Sequence, residues 1–86
     1  MGEHFTMWIK INCPFCIAAR EALFRHQVDH TIYVMDENLD ELESLKENWG
    51  HPTVPIVVHQ DGPSANKKLL GGYTELKERL DGKRDD

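Results

Sequence analysis

A small α/β domain is the fold class this chain predicts: four strands in one mixed sheet, flanked by helices, in the order β-α-β-α-β-β-α. Three observations point there. Short β-prone runs alternate with helical ones through the first half of the chain, and two further runs flank a turn-forming loop in the second half. The length of 86 residues, with 40% hydrophobic and 29% charged content, suits one compact domain (1–86) with no room for a second.

Phe5-Thr6-Met7-Trp8-Ile9 is apolar and β-prone enough for a central strand. Ile17 to His26 follows as a helix, with Ala19, Ala22, Leu23 and Phe24 at helical spacing, fading between His26 and Asp29. Thr31 to Met35 is again a strand, so the first three elements form a β-α-β unit, for which parallel pairing and a right-handed crossover are expected. Leu39, Leu42, Leu45 and Trp49 mark one face of a second helix, ended by Gly50 and Pro52. Val54 to Val58 reads as a third strand opened by Pro55, and Lys67 to Leu70 as a short fourth. Gln60 to Asn66 lies between them as a hairpin loop. Gly71-Gly72 is a tight turn into a last helix, Tyr73 to Leu80, with Leu76 and Leu80 facing in, and 83–86 is a frayed tail.

A net charge of −5 and a pI near 5.4 argue against a nucleic-acid surface, which needs clustered basic residues. Six acids between Asp36 and Glu47 face the single Lys46, either as a solvated helix face or as a partner-selecting patch. Met1-Gly2-Glu3-His4 has neither a basic start nor an apolar run, and no stretch is long enough to span a bilayer, so a cytoplasmic protein without leader or membrane contact is expected.

The two cysteines occur as Cys13-Pro14-Phe15-Cys16, between the first strand and the first helix. A bridge closing so short a loop constrains the unfolded chain little, so the pair is functional rather than structural. A helix start offers unpaired N–H groups and partial positive charge, which favour the thiolate, and a second sulfur across a two-residue gap can reach back to the first. Reversible disulfide exchange is the chemistry this arrangement suits.

Lys10-Ile11-Asn12-Cys13-Pro14-Phe15-Cys16, Thr53-Val54-Pro55 and Gly71-Gly72-Tyr73-Thr74-Glu75-Leu76 occur in that order, and together they resemble the dithiol glutaredoxins, of thioredoxin-like fold, over essentially the whole chain. The resemblance implies a glutathione-dependent oxidoreductase in which Cys13 attacks and Cys16 resolves, with glutathione as reductant. It implies that Val54-Pro55 is cis, presenting the Val54 backbone to the cysteinyl part of glutathione, with Thr53 as a neighbouring contact or a β-prone spacer. Gly72-Tyr73-Thr74 resembles the segment that receives the γ-glutamyl end. Many relatives have Asp where Thr74 stands; a hydroxyl can hydrogen-bond there but cannot pair with the α-ammonium as a charge. Lys10, which spacing alone reads as solubilising, matches a lysine near the thiolate and the glycyl carboxylate. Phe15 is an apolar wall beside the sulfur or a plain surface aromatic. At Asn48, Trp49 and His51 the family pattern varies. Implied partners are disulfide-containing or glutathionylated proteins, ribonucleotide reductase among the common clients, served by a monomer.

Three rival readings are distinguishable. A zinc site made of Cys13, Cys16, His26 and His30 fails on spacing, because nine residues separate Cys16 from His26 where about 12 or more are usual, and the intervening helix holds them about 15 Å apart. No metal is therefore expected. An iron–sulfur cluster carrier would be brown on anaerobic purification, and Pro14 is associated with redox members instead. A donor fed by thioredoxin reductase would lack a glutathione site, for which Lys10 and Gly72-Tyr73-Thr74 speak.

Overall fold

The computed structural model describes residues 3–63 and 65–83. Its elements are β1 (Glu3–Ile9), α1 (Pro14–His26), β2 (Asp29–Val34), α2 (Leu39–Trp49), β3 (Ile56–Asp61), β4 (Lys68–Gly71) and α3 (Tyr73–Lys83). The sheet order is β2-β1-β3-β4. β1 pairs parallel with β2 and antiparallel with β3, and β3 pairs antiparallel with β4. The predicted order and mixed pairing are thus observed.

Alternation along β1 divides the interior in two. Phe5, Met7 and Ile9 meet Ala19, Ala22 and Leu23 of α1, Leu76 and Leu80 of α3, and Val57. On the opposite face Ile56, Val58 and Met35 pack with Leu42 of α2, and Trp8, Leu45 and Trp49 border them. Burial on both faces explains why β1 carries no charged residue between Phe5 and Ile9.

Several boundaries differ from the sequence expectation, each for a local reason. β3 begins at Ile56 because Val54-Pro55 is a cis peptide and turns the chain before the ladder starts. Met35 lies beyond β2 yet still donates its N–H to the Ile9 carbonyl at 2.8 Å. α1 starts at Pro14, whose missing N–H costs nothing at the first helical position. Leu39 is half exposed at the start of α2, and Phe24, placed among the packing residues by its spacing, is 78% exposed. Lys83 closes α3, and the remainder of the expected tail lies outside the described residues.

Leu23 is fully buried where α1 meets β1 and α3. Leu23→Ala is expected to lower stability by about 3 kcal/mol, read as a lower urea midpoint with unchanged slope.

Candidate active site

The carboxyl end of β1 leads through a turn at Ile11-Asn12 into α1. The Ile11 N–H donates to Asp36 Oδ1 at 2.9 Å, tying this turn to the loop after β2. Cys13 then takes the N-cap position in extended conformation, φ −98° and ψ 118°. Helix starts leave N–H groups without intrahelical partners, and one of them is answered here by sulfur: Cys16 N–H donates to Cys13 Sγ at 3.3 Å.

The two thiols are free and occupy different surroundings. Cys13 is half-buried, and its Sγ lies 3.9 Å from the Val54 carbonyl oxygen. Cys16 is fully buried in the core. Burial, reinforced by the hydrogen bond with Cys13 and opposed by one from the Lys10 backbone, pushes the Cys16 thiol from its ordinary 9.0 up to about 12. At neutral pH Cys16 is therefore a thiol.

A cleft of about 200 Å³ runs from the cis-proline loop to the start of α3, lined by Phe15, His51, Thr53, Val54, Pro55, Gly72, Tyr73, Thr74 and Glu75. Seven of the eight non-cysteine residues singled out in the sequence line it; the exception is Lys10, at the end of β1. Phe15 is 62% exposed and tilts against the Tyr73 ring, with centroids 6.1 Å apart. Of the three residues at which the family pattern varies, His51 lines the cleft, and its Nε2 lies 3.4 Å from Thr53 Oγ1.

Glu75 is the residue that sequence reasoning passed over. Its Oε1 accepts the Gly72 N–H at 2.8 Å, the reciprocal half of a capping box. That bond, then the N–H of Glu75 itself and, to a smaller extent, nearby His51, holds the carboxyl below its usual range. Gly71 accommodates the arrangement: its φ is +135°, and an added Cβ would sit 2.7 Å from Glu75 Cγ. The spacing of Glu75 three residues after Gly72 was the available signal.

A glutaredoxin family model matches residues 5–62. The chain belongs to the glutaredoxin family. The match spans β1 through the end of β3 and so includes both cysteines and the cis-proline loop. Among solved structures, glutaredoxin 1 from Francisella tularensis, complexed with cacodylate, superimposes with a TM-score of 0.72 at 19% identity, covering 98% of this chain and 99% of that one. The dithiolic glutaredoxin 2-C-Grx1 from Trypanosoma brucei brucei gives 0.67 at 24% identity, covering 93% and 78%. The glutaredoxin-like protein NrdH-redoxin from Escherichia coli, described as having a thioredoxin-like activity profile, gives 0.67 at 18% identity, covering 92% of each chain. At these identities the likeness is one of fold. No curated protein sequence matches this chain. The glutaredoxin is a thiol-disulfide oxidoreductase by its family. Among the described residues no helix is long and apolar enough to cross a membrane.

The unequal burial of the thiols has two measurable consequences. Iodoacetamide at neutral pH is expected to modify Cys13 and spare Cys16 in the folded protein, with both modified in denaturant, as read by peptide mass mapping. The folded state also keeps the Cys16 proton that an unfolded thiol loses above pH 9.0. Its contribution to stability is thus complete below pH 9.0 and is lost as pH rises toward about 12. Cys16→Ala is expected to remove that component of the alkaline loss in urea unfolding.

Proposed function

We propose that this glutaredoxin is a glutathione-dependent reductase of protein disulfides and glutathione mixed disulfides, acting through Cys13-Pro14-Phe15-Cys16 in a reducing cytosol. The cleft beside Cys13 supports the reading most strongly, because the two backbone features a γ-glutamyl-cysteinyl ligand needs converge there. The cis-proline loop offers the Val54 backbone as a short edge for the cysteinyl residue. The start of α3 offers the N–H groups of Tyr73 and Thr74 to a carboxylate beside Gly72, whose own N–H is held by Glu75. Phe15 and Tyr73 form an apolar wall, and Thr53 and Lys10 complete the proposed contacts.

The Cys13 thiolate attacks the glutathionyl sulfur of a mixed disulfide; the S–S bond breaks, the other sulfur leaves as a thiolate that takes up a proton, and Cys13 is joined to glutathione. A second glutathione attacks the glutathionyl sulfur, releasing glutathione disulfide and the Cys13 thiolate. With a protein disulfide, the first attack joins Cys13 to the client. Cys16 then loses its proton and attacks the Cys13 sulfur, freeing the client's second thiol and forming the Cys13–Cys16 bridge, which two glutathiones reduce. The raised Cys16 pKa supports this division of labour: the resolving thiol stays protonated until the mixed disulfide has formed beside it.

One observation favours a second reading, a donor fed by thioredoxin reductase. The Glu75 carboxylate already holds the Gly72 N–H and places negative charge where a γ-glutamyl carboxylate would dock. The thioredoxin-like profile of the Escherichia coli NrdH-redoxin belongs to the same fold, and ribonucleotide reductase is a client either reading accommodates.

Coupled assays separate the two. NADPH oxidation through glutathione reductase, with a glutathione mixed disulfide as substrate, is expected to be supported by wild type, lost in Cys13→Ser and retained in Cys16→Ser. Reduction of a protein disulfide is expected to be lost in both variants. Turnover with thioredoxin reductase but none with glutathione would establish the second reading instead. Glu75→Gln keeps an acceptor for Gly72 and removes the charge, so the KM for glutathione is expected to fall by roughly fivefold, corresponding to about 1 kcal/mol.

A further inference from the structure

β2 is an edge strand: in the order β2-β1-β3-β4 its outer side pairs with no strand among the described residues. Exposed edges invite pairing with another chain, and proteins blunt them with short strands, lysines, prolines or bulges. The opposite edge is blunted in this way, since β4 has four residues, includes Lys68, and shifts register between Val57 and Val58. β2, Asp-His-Thr-Ile-Tyr-Val over Asp29–Val34, has no lysine, proline or bulge, and its one charged residue, Asp29, stands at its first position.

Beside that edge lies a groove of about 490 Å³ between α1 and β2, lined by Arg20, Glu21, Phe24, Arg25, His30 and Ile32. Phe24 is 78% exposed at its centre. Arg20 and Arg25 form no ion pair among the described residues, whereas Arg79 is paired with Glu3. Arg20 stands one turn before Phe24 and Arg25 directly after it, and arginine is among the residues enriched at binding hot spots. Although the chain carries a net charge of −5 and Glu21 also lines the groove, the two arginines make its local charge favour an acidic segment.

We infer that this groove docks an extended acidic segment of a client protein, which adds to the free edge of β2 and seats an apolar side chain against Phe24. Alternate residues of an added strand face the groove, about 6.7 Å apart, close to the turn of roughly 6 Å that separates Arg20 from Phe24 on α1. Arg25, directly after Phe24, adds no second step of that length, so the recognised pattern is acid–x–apolar. The groove is separate from the thiol cleft: it shares no lining residue with it, and Phe24 lies about 12 Å along α1 from Cys16. It is also aligned with it. β2 runs parallel to β1, and the Met35 N–H bonded to the Ile9 carbonyl keeps its far end beside the turn that leads to Cys13. A docked segment of about six residues spans roughly 20 Å and leads toward that sulfur. The identification of the segment's owner as a client rests on the proposed reductase function; the binding itself does not.

The test is an NMR titration of the ¹⁵N-labelled protein with a Glu-Thr-Leu-Thr-Glu peptide, with Lys-Thr-Leu-Thr-Lys as control. Saturable shifts confined to α1 from Arg20 onward and to β2 are expected for the acidic peptide alone. Phe24→Ala and Arg20→Glu/Arg25→Glu are each expected to weaken binding by about tenfold. Both variants, exposed and remote from the thiols, are expected to reduce a small glutathione mixed disulfide at the wild-type rate, and Cys13→Ser is expected to bind the peptide normally while reducing nothing. Shifts centred on Cys13 and Thr74, equal binding of the two peptides, or no saturable shift overturns the proposal. So does wild-type self-association that Phe24→Asp abolishes, which assigns the edge to a second copy. If the docking result holds while the mixed-disulfide assay fails in wild type, only the reductase reading falls.

Discussion

A helix must find partners for its first N–H groups, and α1 finds one in the sulfur of Cys13. This cap joins the architecture to the chemistry. The sulfur that accepts the Cys16 N–H is the proposed nucleophile, so the helix that buries Ala19, Ala22 and Leu23 against the sheet also fixes where that atom sits. Two other segments close around the same point. Asp36 anchors the turn before Cys13, and the Val54 carbonyl lies on the sulfur's open side. Moving any of the three segments would displace the cap and the reactive group together.

The second thiol shows what the other end of the same helical turn does. Three residues on, the side chain points into the core, and a group that could ionise is held neutral by the absence of water. One turn of helix thus gives two chemically identical side chains different exposure by orientation alone. Glu75 does something comparable at α3, where an internal carboxylate meets the N–H that an external carboxylate would otherwise take.

Most of the architecture was legible because β1, α1 and β2 carry uninterrupted local patterns and because the turn residues fall between them. The cysteine pair and the cleft residues from Thr53 to Thr74 were legible through three short motifs whose order matched a family. Orientation was harder to read. Helical spacing placed Phe24 and Leu39 on packing faces, but α1 meets the sheet along Ala19, Ala22 and Leu23, leaving Phe24 just beyond the contact. Lys10 has the expected position in the chain and yet lines no part of the cleft, since its place at the end of β1 fixes its backbone and not the reach of its side chain. Glu75 went unread because a capping carboxylate and an ordinary surface acid look alike until the N–H beside them is located.

The strand order carries a consequence for biosynthesis. The most buried strand of the sheet, β1, is the first to be made, and at Glu3–Ile9 it precedes its antiparallel neighbour, Ile56–Asp61, by most of the chain. Until β3 emerges, β1 has only β2 to pair with, and one flank of an apolar ribbon has no partner. A ribosome adding about 5–20 residues per second leaves that flank open for seconds. The stretch from Phe5 to Ile9, which lies inside the sheet of the folded protein, is therefore the part of the nascent chain that stays longest without its second partner strand.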